Sequence, residues 1–277
     1  MGLRVNTNIA SLAAQRVVRN RSLEQEKSYQ RLATGRRIVN AGDDAAGLSI
    51  SENLRAQIRS MHQAERNAND GISFVQVAEG GLNEIANMLV RLRELSIQAA
   101  SDTVGDRERG FIQTEVESIV GEIDRIANVT SFNGTNLLNG ESDKGDLDIQ
   151  VGIRNKEPDR VNLSIDENDV TTSALGIDGI EASSIGSARD SLDSIDNAID
   201  RVSGSRARLG AAQNKLRSRV NNLSINRQNL EAARSRVIDT DIADESAKLV
   251  THNILKSTGI SVLAQANVAP MKALELI

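Results

Sequence analysis

A seven-residue apolar repeat runs through residues 188–237, ARDSLDSIDNAIDRVSGSRARLGAAQNKLRSRVNNLSINRQNLEAARSRV. The companion row, four residues further on, is mixed and includes Arg206, Gln213 and Arg227. Sustained seven-residue spacing is typical of long helices that pack side by side, and polar residues in the second row help to fix the register. We therefore predict a helix over about 183–237. Its packing seam consists of Ile195, Val202, Leu209, Leu216, Leu223, Leu230 and Val237, preceded by Ala188.

The N-terminal half has the same spacing. It predicts a second long helix over about 44–100, packed antiparallel to the first in a coiled-coil-like arrangement. Gly71, Gly80 and Gly81 interrupt the pattern, and each interior glycine costs about 1 kcal/mol relative to alanine. Either packing overrides that cost or the helix bends there. The apolar row consists of Leu54, Met61, Ala68, Val75, Leu82 and Leu89.

Three further stretches have helical spacing. Residues 106–128 place bulky apolar side chains on one face. Residues 8–34 and 241–266 are poorer in such side chains, and helices of this kind are marginal in water by themselves. We expect these two terminal helices to need a partner, which is either each other or another subunit.

Between the helical stretches, TSFNGTNLLNG (130–140) breaks the helix with Gly and Asn. Apolar residues then alternate over 147–151 and 161–165, on either side of the turn-forming stretch RNKEPD. This pattern predicts a β-hairpin. Residues 166–182 are interpreted as a polar connector. The fold class is thus mainly α, with long heptad-patterned helices and one small hairpin.

The composition argues against an enzyme, a metal site or a bound cofactor. There is no Cys, and His62 and His252 lie on separate predicted helices. The motifs of nucleotide-binding and serine-hydrolase sites do not occur. Aromatic residues, on which small-molecule pockets usually depend, make up 1% of the chain.

The net charge of −5 is unevenly distributed. Residues 1–37 carry eight Lys/Arg against two Glu, whereas residues 141–182 carry eleven Asp/Glu against four Lys/Arg. We interpret the basic face as one that meets acidic partners in an assembly, and not nucleic acid, because no aromatic residues are interleaved with the cations. No apolar run approaches the ~18 residues of a membrane span, so we expect no membrane insertion.

The stretch GRRIVNAGDDAAGLSI (35–50) lies between two predicted helices. Its adjacent carboxylates, Asp43 and Asp44, are interpreted as helix caps and not as an acid pair, because the small neighbouring residues cannot build a pocket. Gly35 ends the preceding helix. The connecting segment, a spoke between the two helices, is built on Arg36, Arg37, Ile38 and Val39.

Several motifs, in the order in which they occur, resemble those of bacterial flagellin. They are VNTNIASL, RLATGRRIVNAGDDAAGLSISENLRAQI, QVAEGGLNEI, RLRELSIQAAS, TSFNGTNLL and STGISVLAQAN. The resemblance covers about residues 3–140 and 183–268. It implies a structural subunit that polymerises into the flagellar filament for swimming motility, in a minimal form without a large variable outer domain. The alternative is a hook–filament junction protein, another exported protein of the flagellum.

The resemblance also implies an organisation into six segments. The terminal helices would pair as an inner coiled coil lining the filament channel, and the middle helices would form a surrounding rod-like domain. The segments are an N-terminal inner-core helix (1–34), the spoke (35–43), the first part of the rod domain (44–140), the hairpin with a shortened variable region (141–182), the second part of the rod domain (183–238) and a C-terminal inner-core helix (239–277).

Partners follow from the resemblance as well. They are many copies of the chain, flagellar cap and hook-associated proteins, and an export chaperone bound to the C-terminal helix. Passage through the flagellar type III export apparatus would place the protein in the extracellular filament. A vertebrate Toll-like receptor is a further candidate partner, because Arg91, Leu95 and Glu115 fall at the positions that matter in recognised family members.

Overall fold

The computed structural model describes residues 7–141, 146–164 and 168–274, with side chains through residue 268. The expected fold class is confirmed, since long helices dominate and the strands form small antiparallel pairs. The helices are α1 (Ile9–Thr34), α2 (Ala45–Ala99), α3 (Asp106–Val129), α4 (Thr172–Leu175), α5 (Ile185–Ile238) and α6 (Ile242–Leu274). The strands are β1 (Ser131–Phe132), β2 (Thr135–Asn136), β3 (Leu147–Gln150) and β4 (Arg160–Leu163).

The chain divides into two compact units. The terminal unit comprises residues 1–56 and 229–277, and the central unit comprises residues 57–228. In the central unit, α2, α3 and α5 enclose a main apolar core with the segments that connect them, and a second, smaller cluster packs Ala68 and Leu216 against Val151 and Val161. The middle parts of the heptad seams lie inside the main core, and their fully buried members include Val75, Leu82, Leu89 and Ile195.

Packing overrides the cost of two of the three glycines that interrupt the heptad pattern of α2. A Cβ on Gly71 would come within 2.4 Å of Ile149 Cδ1, and one on Gly81 within 2.8 Å of Leu138 Cδ1. These glycines let the segments after α3 lie directly on the helix backbone. Gly80 has no such neighbour among the described residues.

The predicted hairpin is present. β3 pairs with β4 from Leu147 opposite Leu163 to Gln150 opposite Arg160, while position 165 lies outside the described residues. A second hairpin, β1–β2, was not expected within 130–140. Its turn is Asn133-Gly134, and both residues have positive φ, as the tightest hairpin turns require.

The interpretation of residues 166–182 as a polar connector is wrong over 168–182, the part that the structure describes. Leu175, Ile177 and Ile180 are at most 8% exposed and belong to the core of the central unit. They flank Gly176, which ends the one-turn helix α4 with a φ of 73°. Apolar residues around a left-handed turn follow neither a helical nor a strand period, so the pattern gave no signal.

Candidate functional site

The most unusual surface of the terminal unit is the antiparallel pair formed by α1 and α6. The amide of Asn8 donates to the carbonyl of Ala266 over 2.8 Å near one end of the pair. Arg31 lies 3.7 Å from Glu245 near the other end. Residues from the two extremes of the sequence are therefore held together along most of both helices.

The fully buried residues in the seam between α1 and α6 are polar. Ser11, Ser28 and Glu245 are at most 6% exposed and lie in this contact. Ser11 donates to the side-chain oxygen of Asn267 over 2.7 Å, and Lys256 donates to Gln25 over 3.0 Å. Hydrogen bonds of this kind define the pairing, but each contributes only about 1 kcal/mol.

Most of the large apolar side chains of the pair point away from the seam, although Val18 lies against Gly259 across it. Twelve of the large ones are 40–63% exposed, although a helix pair in water normally buries such residues. This arrangement suits helices that are covered on their outer faces by another chain. The exposed residues are Ile9, Leu12, Val17, Leu23 and Tyr29 on α1, and Ile242, Val250, Ile254, Leu255, Ile260, Val262 and Val268 on α6.

The spoke is anchored within its own chain. Gly35, with a φ of 67°, ends α1 in the left-handed conformation. Its carbonyl accepts a hydrogen bond from the backbone of Thr240 over 3.1 Å. The backbone N–H of Arg37 donates to Ile238 over 2.7 Å, and its guanidinium donates to the carbonyl of Val237 over 2.8 Å. Arg36 forms an isolated β-bridge with Asp239 and keeps an exposed side chain.

The two carboxylates of the joint have separate roles. Asp44 Oδ1 accepts the N–H of Gly47 over 2.8 Å, which is the geometry of a cap on the first turn of α2. Asp43 instead accepts the N–H groups of Asn40 and Val39, at 2.9 and 3.2 Å, and thereby closes the turn of the spoke. The hydrogen bond from Asn40 is the main reason that the pKa of Asp43 is below its ordinary value.

The remaining spoke residues fill the joint. Ile38 is 2% exposed and Val39 is half-buried. Of the predicted seam residues, those in the middle of the helices are buried, whereas the outer ones are half-buried, namely Leu54, Met61, Leu230 and Val237.

The predicted receptor epitope is only partly a surface. Arg91 donates to Glu115 over 2.8 Å and to Glu94 over 3.1 Å on the outside of α2 and α3. Leu95 is 2% exposed and packs in the core of the central unit. The structure brings Arg91 and Glu115 together but does not present the Leu95 side chain beside them.

One residue with a clear structural role was missed by the sequence reasoning. Arg109 is 5% exposed, and its guanidinium donates to the carbonyls of Ala99 and Ser101 at the end of α2, over 2.9 and 3.0 Å. It also pairs with Asp106 over 2.7 Å. An Arg three residues after the Asp that opens a helix was the available signal.

The part of the chain that the structure describes contains no helix that is both long and apolar enough to cross a membrane. It also contains no group of three or more His, Asp or Glu side chains placed to hold a metal ion.

Two models of known protein families match the chain, one in each half. The model for the bacterial flagellin N-terminal helical region matches residues 5–143, and that for the C-terminal helical region matches residues 192–277. The chain is 37% identical to the flagellar filament 33 kDa core protein of Treponema phagedenis over 99% of both chains. It is also 37% identical to a flagellin of Bacillus subtilis, covering 99% of this chain and all of the relative. The crystal structure of Bacillus cereus flagellin superposes with a TM-score of 0.52 at 28% identity, covering 57% of this chain and 88% of that one.

Proposed function

The chain belongs to the bacterial flagellin family, and on that premise we propose that α1 and α6 form the inner wall of a flagellar filament of which this protein is the structural subunit. The full-length similarity to flagellins and filament core proteins supports the filament subunit over a hook–filament junction protein. The observation that carries the place of α1 and α6 is their exposed apolar surface.

Assembly supplies what these helices lack as a pair. Each fully buried Leu or Ile side chain stabilises the assembled state by about 1.5–3 kcal/mol. Because exposed apolar residues follow both helices along their length, several neighbouring copies are needed to cover them. The seam of hydrogen bonds then acts as the register between α1 and α6, while burial between copies provides the stability.

The spoke (35–43) would connect this inner wall to the rod domain, built from 44–140, 141–182 and 183–238. Its own-chain hydrogen bonds leave the Arg36 side chain exposed for a neighbouring copy. Segments 1–34 and 239–277 would be the inner core. We assign Asp43 and Asp44 no catalytic role, in keeping with a family of structural proteins.

The export and assembly partners remain proposals. An export chaperone would cover the apolar face of α6 before assembly, since that face is exposed in the single chain. Cap and hook-associated proteins would contact the filament ends, and export would place the filament outside the cell. A Toll-like receptor would read the paired Arg91 and Glu115, with Leu95 acting from beneath the surface.

Seeded polymerisation tests the proposal. Sheared filaments incubated with purified monomer should elongate, and a cryo-EM map of the product should place α1 and α6 at the smallest radius. Discrete small oligomers under all seeding conditions would contradict the filament subunit. A filament with α1 and α6 on its outside would contradict only their place. Deleting the gene distinguishes the junction alternative, which would leave filament subunits secreted but unattached.

A further inference from the structure

The central unit contains a cleft between α2 and the two hairpins. Its volume is about 370 Å³, which is within the range of small-molecule sites. We call it the α2–hairpin cleft, and the residues that define it are Asp70 and Phe74 of α2, Phe132 and Asn133 of the first hairpin, and Leu147 and Asp148 of β3.

The floor of the α2–hairpin cleft is apolar and partly aromatic. Two of the chain's three phenylalanines meet there, since the ring centroids of Phe74 and Phe132 are 6.0 Å apart with the rings edge to face. Phe132, Leu147 and Ile149 are half-buried, so their side chains are accessible from the cleft. A floor of this kind favours an alkyl group, because each CH₂ that is buried strengthens binding about fourfold.

The rim of the cleft carries negative charge. Asp70 is exposed and accepts no hydrogen bond from any residue that the structure describes. Asp148 accepts one hydrogen bond, at Oδ1 from the amide of Asn162 over 3.2 Å, and its second oxygen is left for another donor. Among the described residues that line the cleft there is no Lys or Arg, so its wall contributes two carboxylates and no cation.

The nearest cations of the hairpin and α2 are directed elsewhere. Arg66 lies one turn before Asp70, but its guanidinium contacts a histidine and a glutamine of α2. Arg160 donates to Gln150 over 3.4 Å and to Asn155 over 2.6 Å. Neither arginine forms an ion pair with a described residue, so the carboxylates of the rim are not neutralised by them.

The other side of the same hairpin shows that this charge is a local feature. There β4 and α5 form a larger groove of about 740 Å³. Asp148 and Glu157 line it together with Arg160, Lys215 and Arg219, so carboxylates and cations are mixed. That groove selects no particular sign of ligand charge, whereas the α2–hairpin cleft selects a cation.

The amides beside the cleft have little capacity left for an uncharged polar ligand such as a sugar. Asn67 donates to the carbonyl of Gln150 over 3.1 Å and accepts from Gln63 over 2.8 Å. Gln150 donates to the carbonyl of Gly152 over 2.9 Å. These bonds hold the hairpin on α2. The carboxylate of Asp70 is therefore the strongest acceptor that remains for a ligand.

We propose that the α2–hairpin cleft binds a small organic cation of the alkylammonium class. The ammonium group is held by Asp70 and Asp148, and the alkyl stem packs on Phe74, Phe132 and Leu147. Aromatic rings suit such a ligand because they attract a cation and also accept its apolar stem. This site goes beyond the filament function and does not depend on it.

Fluorine NMR of the full-length monomer tests the proposal, because the chain has only three phenylalanines. With 4-fluorophenylalanine in place of phenylalanine, the signals of residues 74 and 132 should shift saturably as hexylamine is added at neutral pH. For so small a ligand we expect a dissociation constant of about 0.1–10 mM. Phe111 is the internal control, since it lies about 27 Å from the end of α3 at ~1.5 Å per residue and its signal should not move. The variants Phe132→Leu and Phe111→Leu assign the three signals.

Shorter and uncharged ligands separate the two parts of the site. Butylamine should bind about tenfold more weakly than hexylamine, because it lacks two CH₂ groups. Hexan-1-ol keeps the stem without the charge and should bind about fivefold more weakly. Asp70→Asn should lower the affinity for hexylamine to that for hexan-1-ol and leave the alcohol unaffected. The matched control is Asp193→Asn, an exposed aspartate of α5 outside the cleft, which should change neither affinity.

Three results would overturn the proposal. The first is the absence of a saturable shift at residues 74 and 132, or equal shifts at all three phenylalanines. The second is equal affinity for hexylamine and hexan-1-ol, or no effect of Asp70→Asn. The third is a shift of the same two signals when unlabelled chain is added without amine, which would assign the cleft to a second copy.

Discussion

The central and terminal units use their long helices in opposite ways. In the central unit, Leu82 and Ile195 are completely buried in the seam between helices. In the terminal unit, the seam contains Ser28 at 2% exposure, while Leu12 and Ile254 are 57% and 60% exposed. One sequence thus contains a helix bundle with an apolar interior and a helix pair with an apolar exterior.

The difference follows from the spacing of apolar residues. In α2 and α5 they recur every seventh residue and form one stripe, which the neighbouring elements of the same unit cover. In α6 they are distributed around the helix, so that no single partner covers them. We therefore expect the central unit to be stable within one chain and the terminal unit to depend on neighbouring copies.

The largest effect should come from a cavity in the central seam. Leu82→Ala removes a fully buried side chain, and such changes cost about 2–5 kcal/mol in the free energy of unfolding. Urea denaturation of the monomer, followed by circular dichroism, measures it. A loss below about 0.5 kcal/mol would contradict the claim that burial in this seam stabilises the central unit.

The same substitution in the terminal unit should leave the monomer unaffected and weaken the filament. Leu12→Ala should change monomer unfolding by less than about 0.5 kcal/mol, because the side chain is exposed. Burial in the filament is worth about 1.5–3 kcal/mol per Leu, so the critical concentration for assembly should rise about tenfold or more. Sedimentation of filaments at several protein concentrations measures it, and an unchanged critical concentration would place Leu12 outside the interfaces.

The buried hydrogen bonds of Arg109 should contribute less to the stability of the central unit than its apolar packing does, but the contribution should still be measurable. Arg109→Met would leave the carbonyls of Ala99 and Ser101 without their donor. Unsatisfied buried groups cost about 1–3 kcal/mol, which should appear as lower monomer stability in the same denaturation experiment. The matched control is Arg107→Met on the exposed side of α3, and equal losses in the two variants would contradict the role of Arg109.

The joint of the terminal unit should be more tolerant. Asp44→Ala removes the cap on α2, with an expected cost of about 0.5–2 kcal/mol to the local stability of the first turn. Hydrogen exchange at the amides of residues 45–48 measures that opening directly. Asp43→Ala is the control, because the Asp43 carboxylate accepts hydrogen bonds from the backbone of the spoke. If this variant speeds exchange only at the amides of Val39 and Asn40, the two carboxylates have separate roles.

Sequence periodicity predicted α1, α2, α3 and α5 to within two residues at each end, because heptad rows and terminal caps are local signals. The predicted end of α6, at about residue 266, was wrong by eight residues, since the helix continues to Leu274. Ile177 and Ile180 were missed because their burial depends on a left-handed turn at Gly176, which has no period. The polar seam between α1 and α6 was beyond prediction for another reason. It joins Arg31 to Glu245, and no local pattern indicates which residues of two distant helices will face each other.

The smallest effect concerns pH and the joint. Hydrogen bonds from Asn40 and Val39 lower the pKa of Asp43 below the value of about 3.9 that it has in an unfolded chain. A lowered folded-state pKa contributes stability above pH ~4, and this contribution is lost as the pH falls through the folded value. Asp43→Asn keeps the acceptor oxygen but removes the charge, so wild type should exceed the variant in stability at pH 7 by at most about 0.5 kcal/mol. Thermal unfolding of both proteins from pH 7 to pH 2 should show the difference vanish in acid. A difference that stays constant with pH would mean that the charge of Asp43 does not contribute and that the spoke is held by geometry alone.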